Sequence, residues 1–133
     1  MNAVRLAIAA VIALVIAGCV TSPPASKAQS LSDQAYSEIQ HKNYNKAGKL
    51  LEESLALDKT NAFAWLNLGV VNQNQGHYAK ARECYLKVVD YAWDEKGSNK
   101  KVNGRSLITM ARNNLEALPD VAEEESTKKD SGK

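Results

Sequence analysis

Residues 62–85 read A-F-A-W-L-N-L-G-V-V-N-Q-N-Q-G-H-Y-A-K-A-R-E-C-Y. Trp65, Leu68, Gly69 and Val71 recur at helical intervals, and beyond the break at Gly76 the interval returns in Ala81, Tyr85, Val88 and Val89. No stretch alternates with period two, and β-branched residues are sparse outside the N-terminus, so strands are not expected. The pattern predicts two antiparallel helices, residues 62–75 and 78–93, joined by a tight bend. Gly69 and Ala81 are the small residues at which such helices pass closely, because a larger side chain would push the axes apart. Trp65 and Leu68 lie on one face, and Tyr78 and Tyr85 are expected to close over them from the partner helix.

The same pattern occurs once more upstream. A shift of 34 positions sets Leu31 on Trp65, Ala35 on Gly69, Tyr44 on Tyr78, Ala47 on Ala81 and Leu51 on Tyr85. It also sets Ala28 on Ala62, Ser54 on Val88 and Leu55 on Val89. A first hairpin is therefore expected over residues 31–42 and 45–58, followed by a turn in which Thr60 or Asn61 caps the next helix. Downstream, residues 94–104 read as a loop rich in glycine, asparagine and charge. A fifth helix is expected over residues 105–118, stopped by Pro119, with Leu107, Met110 and Ala111 spaced like Trp65, Leu68 and Gly69.

Trp65, Leu68, Gly69, Gly76, Tyr78, Ala81 and Tyr85 together resemble the tetratricopeptide repeat. In the upstream copy Gln34 and Lys42 stand where that family has Leu and the turn Gly, and Lys59 where it has Pro. The resemblance implies an all-α fold of TPR-like helical hairpins stacked as a short right-handed solenoid of about five helices. About three repeats are normally needed to bury their faces. Either the fifth helix seals the stack, or a partner does, a second copy of the chain included.

The N-terminus follows a different logic. After Arg5, Leu6 to Ala17 is an unbroken run of twelve Leu, Ile, Val and Ala residues ending at Gly18 and Cys19. As a helix it would span roughly 18 Å against the roughly 30 Å of hydrocarbon a permanent span must cross, which marks a secretory signal. Ile16, Ala17, Gly18 and Cys19 resemble the lipobox of bacterial lipoproteins, which implies cleavage before Cys19 and lipidation of its sulfur. More than one acyl chain would hold such a protein on a bilayer where a single chain would not. The organisation expected is thus a signal peptide over 1–18, a lipidated Cys19 with a flexible tether over 19–30, a helical domain over 31–118, and a disordered polar tail over 119–133. Val20 after the cysteine, by resemblance to sorting in enteric-type bacteria, favours the outer membrane of a cell with two.

Chemistry is sparse. The chain carries 17 basic and 15 acidic residues, a near balance that points away from nucleic acid. With Cys19 occupied by lipid, Cys84 has no partner within the chain for a disulfide. His41 and His77 fall at the two hairpin bends but lack the third and fourth ligands of a zinc site, and Cys84 is two helical turns from His77. No catalytic residue, metal or cofactor is expected.

The expectation is a non-enzymatic, membrane-anchored assembly factor binding an envelope protein or peptide. Its resemblance to lipid-anchored tetratricopeptide proteins suggests a pilotin-like or outer-membrane and secretion accessory role. The alternative is a peptidoglycan-associated or lipoprotein-trafficking accessory that recognises its target through loop 94–104 or the tail. The groove expected on the concave face comprises Phe63, Leu66, Asn67, Val70 and Gln73, which the family resemblance assigns to its ligand-facing surface. Tyr36, Ile39 and Gln40 are their counterparts upstream, with Arg112 and Leu115 downstream.

Overall fold

The computed structural model describes residues 23–93 and 98–120. Residues 1–18, Cys19 and the remaining residues up to 22 lie outside them, as do 94–97 and 121–133. Five helices occur among the described residues: α1 (Pro24–Gln40), α2 (Tyr44–Leu57), α3 (Ala62–Asn74), α4 (Tyr78–Tyr91) and α5 (Leu107–Glu116). α1 packs on α2 and α3 on α4 as antiparallel hairpins. α5 then lies mainly on α4 and secondarily on α3, as α3 lies on α2 and α1. The architecture is the helical, TPR-like solenoid that the family resemblance implies.

The bends repeat in detail. Asn43 N–H donates to Glu38 O at 2.9 Å, and 34 positions on His77 N–H donates to Asn72 O at 2.8 Å. Each bend needs one residue with positive φ, supplied by Gly76 at 76° and by Lys42 at 61°. Only glycine meets that conformation without crowding its own Cβ, so the first bend carries local strain that the second lacks. Tyr44 Oη donates to Asn74 Oδ1 at 3.0 Å and Gln75 Nε2 to Asn45 Oδ1 at 2.8 Å, which stacks one bend on the other.

α3 is the shared wall of two apolar clusters. Ala64 and Val71 pack with Ala35, Ala47, Leu51 and Leu55 of the first hairpin. On the other side Ala62 and Leu66 pack with Ala81, Tyr85 and Val88 of α4 and with Leu107, Ile108 and Ala111 of α5. Tyr85 is fully buried with its ring directly against Gly69, where a Cβ would overlap it. Tyr85 therefore closes over Gly69, whereas Trp65 and Leu68 remain partly exposed in a groove shared with α2 and α4, Trp65 packing on both clusters and Leu68 on the first.

The hairpins are also joined by a buried hydrogen-bonded relay. Asn61 Nδ2 donates to Ser32 Oγ at 3.2 Å, and Ser54 Oγ donates to Ala28 O at 2.7 Å. Since the Ser54 proton is spent on that carbonyl, Ser32 must donate across the 2.9 Å gap between the two hydroxyls. The other end of Asn61 caps α3, its Oδ1 accepting from Ala64 N–H at 3.1 Å. Asn61 is thus the cap, and Thr60 instead bonds Asp58.

Three boundaries differ from the sequence expectation. α1 begins at Pro24, so residues 24–30 of the expected tether are helical. Two consecutive prolines end a helix from within but suit its start, where the missing N–H has no intrahelical acceptor in any case. Ala28 then becomes fully buried, and Lys27 reaches Glu53 at 3.6 Å. Second, α4 ends at Tyr91 and α5 starts at Leu107, where the Ser106 hydroxyl accepts from Thr109 N–H at 3.1 Å. Third, strands do occur: β1 (Lys101–Val102) and β2 (Arg105–Ser106) form an antiparallel hairpin. Asn103 and Gly104 turn it with φ of 50° and 76°, the two positive values that a two-residue primed turn requires. Its strands are too short and too polar to show a period of two.

α5 seals the stack. Its Leu107, Ile108 and Ala111 are buried, while Thr109, Arg112, Asn113 and Glu116 leave a polar outer face.

Two pairs of substitutions test this account by urea denaturation. Gly69→Ala is expected to lower stability by about 1–3 kcal/mol through overpacking against Tyr85. Gly48→Ala, whose new Cβ would meet Val71 Cγ1 at an ordinary 3.6 Å, is expected to raise it by about 0.5–1 kcal/mol through helix propensity. A parallel gain for both would mean that the crossing is not tight at Gly69. Lys42→Gly is expected to be neutral to stabilising by up to about 1 kcal/mol, and Gly76→Lys to cost about 1–2 kcal/mol. Equal midpoints for the Gly76 variant and the parent would refute the strain argument.

Candidate functional site

The first helix of each hairpin lines one face of the stack, and there α1, α3, α5 and the β-hairpin enclose a cleft of about 560 Å³. α1 contributes Gln29, Asp33 and Tyr36, α3 contributes Phe63 and Asn67, and α5 contributes Met110. Val102, Asn103 and Arg105 of the hairpin form the remaining wall. The Tyr36 and Phe63 rings stand 6.0 Å apart, tilted at 44°. Tyr36 is 45% exposed, an aromatic surface left open on the cleft side of α1.

Asn67 is 4% exposed, and among the described residues its Nδ2, like Arg82 Nε and Asn99 Oδ1, is buried without a hydrogen-bond partner. A buried amide left unpaired costs on the order of 1–3 kcal/mol. Asn67 lines the cleft with Phe63 of its own helix and Met110 of α5, its Nδ2 itself being shielded from solvent.

Of the ten groove residues expected from sequence, Tyr36, Phe63 and Asn67 come together in the cleft. Leu66 does not: it is buried beneath α5 with Leu107 and Ile108, so it belongs to the core. Val70 is partly buried against the same cluster, and Gln73 accepts a 2.7 Å hydrogen bond from Tyr85 Oη. Ile39 packs on the first hairpin and Leu115 on the second cluster, while Gln40 and Arg112 are exposed outside the cleft lining. Sequence reasoning missed Gln29, Asp33, Val102, Asn103, Arg105 and Met110. Met110 has the spacing of Leu68, yet Met110 lines the cleft and Leu68 lines a different groove. The N-G dipeptide at 103–104 was the available signal for the β-hairpin.

The opposite groove, about 330 Å³, runs between α2 and α4 over Trp65, Leu68 and Cys84. Burial, assisted by the Glu83 carboxylate, pushes the Cys84 thiol up to about 11, and Asn72 Nδ2 donates to its sulfur at 3.8 Å. Such a thiol is protonated at neutral pH and a poor nucleophile. His41 Nδ1 is within 2.8 Å of Ser37 O at the end of α1, and His77 precedes α4. Among the described residues no group of three His, Cys, Asp or Glu is placed to hold a metal, and no helix is long and apolar enough to cross a membrane.

Helical hairpins stacked at a period of 34 around a concave cleft define an α-solenoid of the protein-interaction class. The family model for the tetratricopeptide repeat matches residues 50–83, from within α2 to within α4, and supports tetratricopeptide repeats in this chain. No curated protein and no solved structure matches the chain.

The thiol gives a pH prediction. Its folded pKa is raised, so between the ordinary thiol value and about 11 the unfolded chain loses its proton first. Stability is therefore expected to fall with rising pH over that window in the parent, and to fall less in Cys84→Ala. Parallel urea-midpoint profiles for the two proteins above pH 9 would rule this out.

Proposed function

We propose that this protein is a non-enzymatic, lipid-anchored adaptor of the bacterial envelope that holds a peptide segment of a partner protein in its concave cleft. The observation that carries the cleft assignment is the Tyr36–Phe63 ring pair in the cleft lining, with Tyr36 45% exposed. An aromatic wall supplies apolar contact at low entropic cost. The tetratricopeptide architecture supports a protein partner of this kind.

Anchoring rests on the sequence alone. The leader to Gly18 and the lipobox-like Ile16–Cys19 run support export and lipidation at Cys19, and Val20 supports the outer membrane facing the periplasm in a cell with two membranes. The assembly role, pilotin-like or in outer-membrane and secretion assembly, follows from that location combined with a peptide-holding domain. The alternative route of recognition, through residues 94–104, gains one point of support: Val102 and Asn103 form part of the cleft wall. Both routes then meet in one site.

The test places a photo-crosslinking residue at Tyr36 or, on the far side of the stack, at Lys49, and compares adducts in native membranes. Crosslinks specific to position 36 are expected, and a mass spectrum of the extracted protein is expected to begin at a triacylated Cys19. Identical adducts from both positions would remove the cleft from consideration, and an unmodified Cys19 or intact Met1 would remove the anchor.

A further inference from the structure

The chain between Cys19 and the first helix is short. α1 begins at Pro24 with Pro23 at its cap, so the cap stands at most about 14 Å of extended chain from Cys19. α1 itself has 17 residues, which make about 25 Å of helix. With the hairpin bends turned toward a bilayer, the start of α1 would stand about that helix length away from it, beyond the reach of a Cys19 held at the surface by acyl chains. The opposite end of the stack, where α1 starts, is the end such an anchor draws to the lipid.

That end carries the residues an interface of water and lipid takes. Lys27 pairs with Glu53 and Ser54 Oγ donates to Ala28 O, so the antiparallel register brings Leu57 to the start of α1. Lys59 lies just beyond the end of α2, and Trp93, 34 positions on, lies just beyond the end of α4. Trp93 bridges to Asn99, and Lys100 N–H donates to Ala92 O at 2.6 Å, which brings Lys100 and Lys101 to the same end. Leu57 is 38% exposed and Trp93 50%, and the three lysines are exposed as well. No ion pair engages Lys59, Lys100 or Lys101 among the described residues, whereas Glu53 and Asp90 are paired with lysines and Asp58 accepts from Thr60.

We infer that this end of the solenoid rests on the bilayer: Trp93 and Leu57 enter the headgroup layer, Lys59, Lys100 and Lys101 reach lipid phosphates, and the hairpin bends point away. This rests on the lipid anchor proposed above and adds the orientation in which the anchor holds the domain. Tryptophan favours the headgroup level because its ring is apolar and its N–H polar, and lysine lays its stem on apolar surface while its charge meets anionic lipid. The bilayer is the occupant because the short connection keeps it within reach of this surface at all times.

The experiment uses the full precursor expressed in a bacterial host, purified from membranes and reconstituted in vesicles of phosphatidylcholine and phosphatidylglycerol containing a lipid with a nitroxide on its headgroup. Trp65→Phe leaves Trp93 as the reporter, and adding Trp93→Phe with His77→Trp moves the reporter to the second bend. Trp93 is expected to lose about half of its emission or more, the behaviour of a ring at headgroup depth, and the reporter at position 77 to keep nearly all of its own. In the unsubstituted protein, acetylation of Lys59 and Lys101 by a water-soluble reagent is expected to slow severalfold relative to soluble Cys19→Ser protein, with Lys42 at the first bend unchanged. Equal quenching at the two positions in protein that floats with the vesicles overturns the orientation and leaves the anchor standing. Trp93 shielded from aqueous iodide but untouched by the nitroxide assigns this end to a protein contact and overturns it too. Failure to float overturns the anchor and the orientation together.

Discussion

The contact between Tyr85 and the bare Cα of Gly69 is the constraint on which the remaining arrangement depends. It lets α3 and α4 approach closely enough for the tyrosine to be fully buried. Its hydroxyl then donates to Gln73 and is hydrogen-bonded to Asn114, so one side chain of α4 fixes α3 beneath it and α5 beside it. Burial raises the phenol pKa further, so the group stays a neutral hydrogen-bonding post. Once these three helices are set, Leu66 is covered by α5, while Phe63 and Asn67, rotated toward α1, are left at the cleft.

Two and a half repeats are few for a solenoid, whose stability comes from neighbours burying one another's faces. The buried relay from Asn61 through Ser32 and Ser54 to Ala28 O compensates at the junction of the hairpins. Each hydroxyl in it both donates and accepts, which makes the chain directional and permits one register of α1, α2 and α3. At the far end α5 buries an apolar face and shows a polar one.

The cleft is shaped by an element foreign to the repeat. The β-hairpin is held at both ends, by Lys100 N–H to Ala92 O at 2.6 Å and by Leu107 N–H to Lys100 O at 3.0 Å. It converts an open concave face into a walled cleft and brings Arg105 into the lining with Asp33. The repeat architecture is shared by proteins of many functions and transfers fold more securely than role. This chain adds to the bare repeat a hairpin wall that lines the cleft together with Tyr36, Phe63 and Asn67.

The helices and their pairing were legible in the sequence because each rests on local periodicity and on small residues at the crossing, Gly69 and Ala81. The 34-residue offset was legible for the same reason, down to Lys42 occupying the backbone conformation of Gly76. The start of α1 was misplaced because proline reads as a breaker until its position relative to the helix is known. The hairpin was missed because a turn of two residues carries almost no periodic signal. The cleft was legible only in part: Tyr36, Phe63 and Asn67 follow from helical rotation, whereas Asp33, Arg105 and Met110 depend on where the insertion places α5 and its own strands. Helical rotation alone leaves Leu66 on the surface, and only the packing of α5 withdraws it. Local interactions thus determined which residues form helices, and the long-range contact of α5 and the hairpin with α3 decided which of their faces became the site.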